Sequence, residues 1–509
     1  MSAGTNGTNS TNGVNGAENG AAAARVPLTA VPAPAGPADG PHVLVVGGGL
    51  AGISTALVLS ERGWRVTLAE ARPRLGGRAT SYQRGELTVD NGQHVFLRCC
   101  TAYRGLLDRL DAGPATGLSV LQDRLDIPLR SPDGGTARLR RTAAPAPLHL
   151  AGSLARYGLL PLRERAALGR AALALRFTDP ASPEVDERGF GPFMREHGQS
   201  RGAINRLWSV ISVATLNIDP EDASLALAAK VFRTGLLEDN SGADVGYAAV
   251  PLGEIHDRRA RAVLAAQGVD VRDATKVLSI ETDRTVRLRT REQDEATLRP
   301  DAIVLAVPHD AAAALLPPGV PTPFTALGHS PILNVHVRYD RQVLDGPFVA
   351  GVDSPAQWIF DRTKPSGLPG EGRYLAITVS AADEFVERPV AELRSLFENE
   401  LTRLLPAARG ARVEEFFVTR EKHATFRQAS GSAALRPGPG TAVPGLYLAG
   451  AWTATGWPDT MESAVRSGIS AARVAQEHLV DGSHQQPSEP AAASAAAQRT
   501  GTGQEHGFD

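Results

Sequence analysis

The sequence predicts an α/β protein: a discontinuous, doubly wound parallel-sheet domain with an inserted α+β domain that contains an antiparallel sheet. Three observations carry this expectation. An all-apolar run from Val43 to Val46 opens into a glycine-rich turn and then a helix-compatible stretch. Further buried-strand patterns, "AIVLAVP" from Ala302 and "GLYLAG" from Gly445, stand far along the chain, so one parallel sheet is assembled from distant pieces. Between them the alternating runs "NVHVRYD" and "YLAITVS" read as antiparallel strands.

The elements then follow in order. Residues 1–40 are Gly, Asn, Thr, Ala and Pro rich and read as a disordered tail, as do residues 482–509. Segments 41–100, 251–311 and 439–481 are expected to build the parallel-sheet domain. Segments 101–250 and 312–438 are expected to form the inserted substrate domain. With 509 residues, 42% hydrophobic, the chain can bury a large core. Its 53 basic and 55 acidic residues give a net charge of −2, which offers no global attraction to nucleic acid. The only cysteines, Cys99 and Cys100, are adjacent and cannot staple distant segments, so a cytoplasmic, reducing setting is expected.

The first segment carries the sharpest chemistry. Gly47, Gly49 and Gly52 form a GxGxxG between strand and helix, and Glu70 follows 18 residues after the last glycine. This spacing is that of a Rossmann-type dinucleotide site. Gly47 makes the tight turn, Gly49 admits the pyrophosphate, and Gly52 lets helix and strand approach. Helix N-terminal amides at Leu50 and Ala51 would then hold the anion. Glu70, with Ala71 beside it, would receive the adenosine ribose. Next, "RPRLGGRA" supplies Gly76, Gly77 and Arg78, a second glycine approach with a guanidinium for the pyrophosphate.

Taken together, these motifs resemble the flavin amine oxidase and phytoene desaturase superfamily. That resemblance implies FAD as cofactor, adenine received at the Val277 backbone, and closure of the "AGAWTATGWPDTMESAVRSG" segment over the flavin. In that segment Gly450 and the first-turn amides of Met461 and Glu462 would face the ring, behind a cap from Asp459 or Thr460. The superfamily usually has an acid where this chain has Ala451.

Within the superfamily, "DNGQHVF" and the closing segment resemble the hydroxysqualene dehydroxylase family, which implies reduction of an allylic C30 alcohol in hopanoid biosynthesis. Carotenoid desaturases or isomerases, amine oxidases and non-catalytic prenyl-lipid carriers are the alternatives. Reductive dehydroxylation needs a proton donor. His94 is the candidate, with Asp90 setting its charge and Gln93 bonding the polar edge of the flavin; a purely hydrogen-bonding role for His94 stays open. Reduced FAD would have to be regenerated by an external reductant, on which no motif here bears. The substrate would be a hydrophobic isoprenoid. Residues 148–177 carry five arginines against one glutamate in an amphipathic helical pattern, expected either as ordinary surface helices or as a dock on the inner face of a membrane.

Overall fold

The computed structural model describes residues 40–291 and 294–482, so the two tails, but for Gly40 and Gly482, lie outside the described residues. Five strands form the first body in the order Asp270–Arg272, Arg65–Ala69, His42–Val46, Ala302–Leu305 and Leu446–Leu448, every neighbouring pair parallel. A parallel sheet needs cover on both faces, which is why its strands are apolar at successive positions. Val43, Val45, Val66 and Leu68 join one buried cluster. Leu44, Val46, Ile303 and Leu305 join another on the opposite face. The helix Leu50–Ser60 is buried at every position. It packs against the long helix Met461–Gly482, where Thr55 Oγ1 donates to the Gly468 carbonyl at 3.2 Å.

A seven-stranded sheet forms the second body, in the order Val413–Thr425, Ser330–Tyr339, Tyr374–Val379, Trp358–Asp361, Phe348–Gly351, Asp126–Arg130 and Thr136–Arg140. Its pairs are antiparallel except Phe348–Gly351 with Asp126–Arg130. Leu393, Phe397 and Leu401 of the helix Val390–Leu404 pack with Leu333, Val335 and Val337 on one side. Helices between residues 151 and 232 pack near Phe348 and Phe360.

One expected boundary moves. The helix Thr101–Arg109, assigned from sequence to the substrate domain, joins the parallel-sheet body through buried Ala102, Tyr103, Leu106 and Leu107. The reason is local: the Glu462 carboxylate accepts from the Ala102 and Tyr103 amides at 3.1 and 2.8 Å, fastening that helix's N-terminus to the last helix.

The stretch "TVDNGQHVF" breaks where its polar residues begin. Leu87–Asp90 pairs with Ser81–Arg84, residues 91–94 are irregular, and Val95–Leu97 pairs with Val245–Ala248. Residues 148–177 form the turn Leu148–Leu150 and the helices Ala151–Ala155 and Leu162–Phe177. No described helix is long and apolar enough to cross a membrane.

Candidate active site

The glycine turn is held by backbone contacts that side chains would prevent. Gly47 sits at φ +104°, and a Cβ on Gly52 would lie 1.9 Å from the Gly47 carbonyl oxygen, so helix and strand meet with no room for a methyl group. Across the turn a Cβ on Gly77 would come within 3.0 Å of Gly49 Cα, so "GLAG" and "LGGR" face each other through bare backbone. Gly76 also donates to the Gly48 carbonyl at 2.8 Å. Glu70 ends its strand here, with Oε2 accepting from the Gly48 amide at 2.7 Å and Oε1 from the Arg72 amide at 2.8 Å. Its carbonyl accepts from Thr275 at 2.8 Å, which brings the strand Lys276–Ile280, whose Val277 joins the apolar cluster on one face of the sheet, beside Glu70.

This cradle fits a dinucleotide pyrophosphate. The helix Leu50–Ser60 has no side-chain cap at its N-terminus, leaving the Leu50, Ala51 and Gly52 amides for an anion. Among the described residues Arg78 donates no hydrogen bond and makes no ion pair, though it lies within electrostatic reach of Asp459 and His309. A nearby unpaired guanidinium with free amides suits a phosphate pair better than any partner on the chain. Ala71 is exposed and follows Glu70 at the rim.

The closing segment is organised by a residue that the sequence did not single out. Arg436 is buried, and its guanidinium donates to the carbonyls of Ala451, Thr453 and Trp457 at 3.0, 2.6 and 2.9 Å. Burial draws its pKa down to about 10, still charged at neutral pH. Trp452 Nε1 donates to the Val307 carbonyl at 2.9 Å, fixing the same loop to the end of the strand Ala302–Leu305. Gly450 donates to Ser467 Oγ at 2.8 Å. Thr460 caps the last helix, accepting from Ser463 at 3.3 Å, whereas Asp459 accepts from the Phe426 amide at 2.9 Å. The Met461 and Glu462 amides have no acceptor among the described residues. The Glu462 side chain is committed to Ala102, Tyr103 and Arg466, so only its backbone is left for a cofactor.

Asp90, Gln93 and His94 line one cavity with Val95, Tyr247, Leu252, Phe360 and Arg362. Asp90 is buried and committed: its carboxylate meets Arg362 at 2.6 Å and accepts from Ser81 Oγ at 2.6 Å and from the Leu252 amide at 2.9 Å. Arg362, also buried, donates to the Ala248 carbonyl at 2.8 Å. His94 Nδ1 lies 3.0 Å from the Gly92 carbonyl, which can only accept, so the neutral ring carries its proton on Nδ1 and leaves Nε2 as an acceptor. Burial pulls its pKa below 6.5; the Gly92 bond and the Asp90 charge pull upward and Arg362 downward. Burial therefore favours the neutral ring of His94 at rest. Gln93 has no hydrogen-bond partner among the described residues.

Residues 50–475 match the family described as flavin containing amine oxidoreductase. A hydroxysqualene dehydroxylase from Rhodopseudomonas palustris is 30% identical, covering 84% of this chain and 97% of that protein. A zeta-carotene desaturase from Zea mays is 24% identical, covering 84% and 82%. Among solved structures, cyclohexylamine oxidase from Brevibacterium oxydans matches with a TM-score of 0.64 at 19% identity, covering 87% of this chain and all of that one. The glycine cradle with Glu70 beside it and a match over most of the chain converge: this chain belongs to the flavin-containing amine oxidoreductase family and is an FAD-dependent oxidoreductase.

Proposed function

We propose that this enzyme reduces an allylic alcohol of a C30 isoprenoid, hydroxysqualene, to squalene. The observation that carries the reading is the cavity wall. Its two carboxylates are both spent, Asp90 on Arg362 and Asp361 on Thr363 and Gly372, so neither is free to receive an ammonium group. Val95, Ala248, Leu252, Pro347 and Phe360 supply its apolar part, and Gln93 with Nε2 of His94 are polar groups there not committed to another of the described residues. That suits one hydroxyl on a hydrocarbon better than an amine. Resemblance to relatives named hydroxysqualene dehydroxylase supports the same choice.

In this reading Leu50, Ala51, Gly52, Gly76, Gly77 and Arg78 hold the pyrophosphate, Glu70 the ribose, and the Gly450 loop with the Met461 and Glu462 amides the ring end. Bound FAD, when reduced by an external donor, supplies the hydride that replaces the hydroxyl. The chain's part is to orient and protonate that hydroxyl so that it departs as water. His94 Nε2 accepts from the alcohol in the resting state. It becomes a donor after taking up a proton, and the Asp90–Arg362 pair tunes how readily it does so. The apolar wall excludes water that would otherwise trap the developing allylic cation. An anaerobic assay with chemically reduced FAD, offering hydroxysqualene and phytoene in parallel, tests the reading. Squalene identified by mass spectrometry supports it, while conversion of phytoene alone would favour the desaturase reading.

We also propose that residues 148–177 dock the enzyme on an anionic membrane at the cytoplasmic face. On the helix Leu162–Phe177, exposed Leu162, Ala166, Gly169, Leu173 and Phe177 recur at three- and four-residue spacing as an outward apolar stripe. Leu162, Leu173 and Phe177 are 75, 55 and 76% exposed, with Leu148 at 64%. Exposed Arg163 and Arg170 on the same helix complement anionic headgroups. The inner face of the helix, through Leu168 and Leu175, belongs to the apolar cluster that contains Phe360 and touches Tyr247, both in the cavity wall. A path from bilayer to cavity would spare a C30 hydrocarbon an aqueous crossing costing on the order of 20 kcal/mol, at roughly 0.8 kcal/mol per methylene. Flotation with phosphatidylserine-containing liposomes should be lost on Leu162→Gln, Leu173→Gln and Phe177→Gln together; undiminished flotation refutes the dock.

A further inference from the structure

We propose that Asp310, His329 and His423 form a divalent transition-metal site that clamps the parallel-sheet body to the seven-stranded sheet. Each residue comes from a different element. Asp310 stands in the first turn of the helix His309–Leu315, which follows the strand Ala302–Leu305. His329 immediately precedes the strand Ser330–Tyr339, and His423 lies on Val413–Thr425, its antiparallel neighbour, near the paired Ser330 and Thr425. Asp310 Oδ2 is 4.0 Å from His329 Nε2 and 4.0 Å from His423 Nδ1, and the three ligand atoms all lie within 4.8 Å of one another.

Those separations are too long for hydrogen bonds, so the three groups do not satisfy each other. A point equidistant from three such atoms lies about 2.3–2.5 Å from each, within a few tenths of an ångström of zinc–nitrogen and zinc–oxygen bond lengths. Asp310 Oδ1 is already held by the Ala311 amide at 2.9 Å, which fixes the carboxylate and leaves Oδ2 for a ligand. The His329 and His423 rings stack nearly parallel at 4.0 Å, and His309 packs on His329 at 4.6 Å, so the inner imidazole is held in place and the exposed His423 has to rotate out of the stack to aim its lone pair at the ion. His329 Nδ1 is buried with no hydrogen-bond partner, an unpaired polar atom inside the cluster itself. Two imidazoles and one carboxylate suit Zn2+, Co2+ or Ni2+ rather than Mg2+ or Ca2+, and the exposed side leaves a fourth position for water. Binding would tie the helix after the strand Ala302–Leu305 to the seven-stranded sheet, fastening the two bodies to each other.

The test uses the full chain, stripped with chelator at pH 7.5. Titration with Co2+ should give one tight site with the visible absorption of a four-coordinate ion, and Zn2+ should displace it. Saturating Zn2+ should raise the melting temperature by a few degrees. His423→Ala and Asp310→Asn alter exposed side chains, so both variants should fold, lose the cobalt spectrum and bind Zn2+ at least tenfold more weakly. Wild-type affinity and spectrum retained in either variant would overturn the site, as would the absence of stoichiometric cobalt binding in the unaltered protein.

Discussion

Replacing Arg362 by Met keeps most of the side-chain volume and removes the one cation facing Asp90. The two residues are 7 and 6% exposed, and their contact is 2.6 Å, so solvent cannot take over when one charge is lost. Asp90 would keep the Ser81 hydroxyl and the Leu252 amide but not its counter-charge, and the Ala248 carbonyl would lose its donor. Breaking a buried pair in this way costs about 3–5 kcal/mol, whereas replacing both partners costs far less. At about 2.1 cal/mol/K per residue over roughly 440 ordered residues, each kcal/mol moves the melting temperature by about 1 °C. Arg362→Met and Asp90→Asn should each therefore melt about 3–5 °C lower, with the double variant losing well less than the sum of the two. The pair also acts on His94. Removing Arg362 takes away a positive charge that depresses its pKa, and removing Asp90 takes away a negative one that raises it. The limb of the rate profile that His94 controls, a fall in rate with rising pH, should move to higher pH in Arg362→Met and to lower pH in Asp90→Asn. Additive melting shifts, or limbs that move the same way, would refute the description of the pair as a buried, mutually compensating unit.

Three further outcomes follow from the same geometry. His94→Gln should keep bound FAD, judged by absorbance, while turnover falls by about 10²-fold or more and the wild type's rise in rate toward acid pH is flattened. Gly52→Val places a side chain against the Gly47 carbonyl, so the purified variant should be depleted of flavin, with the ratio of flavin to protein absorbance as readout. Acid should destabilise the fold through neutral buried histidines: His256 and His309 have pKa values near 4 and His336 near 3. Unfolded histidines titrate near 6.5, so between pH 6.5 and about 4 the unfolded chain binds more protons; stability is full above that window and lost as pH falls, by about 2 kcal/mol per histidine at pH 5. Melting temperatures that stay level from pH 7 to 5 would contradict this.

How much of this was legible depended on sequence distance. Gly47, Gly49, Gly52 and Glu70 could be read because a strand, a turn and a helix fix their geometry within one βαβ unit, so the spacing itself encodes the site. Arg362 could not, since it meets Asp90 across 272 residues, and nothing in "IFDRTKPSG" distinguishes it from a surface arginine. Arg436 escaped for the same reason: it holds a loop by its backbone carbonyls, and carbonyls leave no trace in a sequence. The polar run after Val89 was visible as an anomaly but not as a division of labour. Asp90 compensates Arg362, Asn91 Oδ1 accepts from Thr80, and the Asn91 carbonyl accepts from Asn334 Nδ2. Two of these contacts, those to Arg362 and Asn334, therefore fasten this run to the seven-stranded body, while the Thr80 bond is local. What remains for chemistry is Gln93 and a single nitrogen of His94, because the Gly92 carbonyl has claimed the other. The protonation state of His94 is thus set first by burial and then by a backbone turn and the Asp90–Arg362 pair, and a pH profile reads it more directly than loss of activity does.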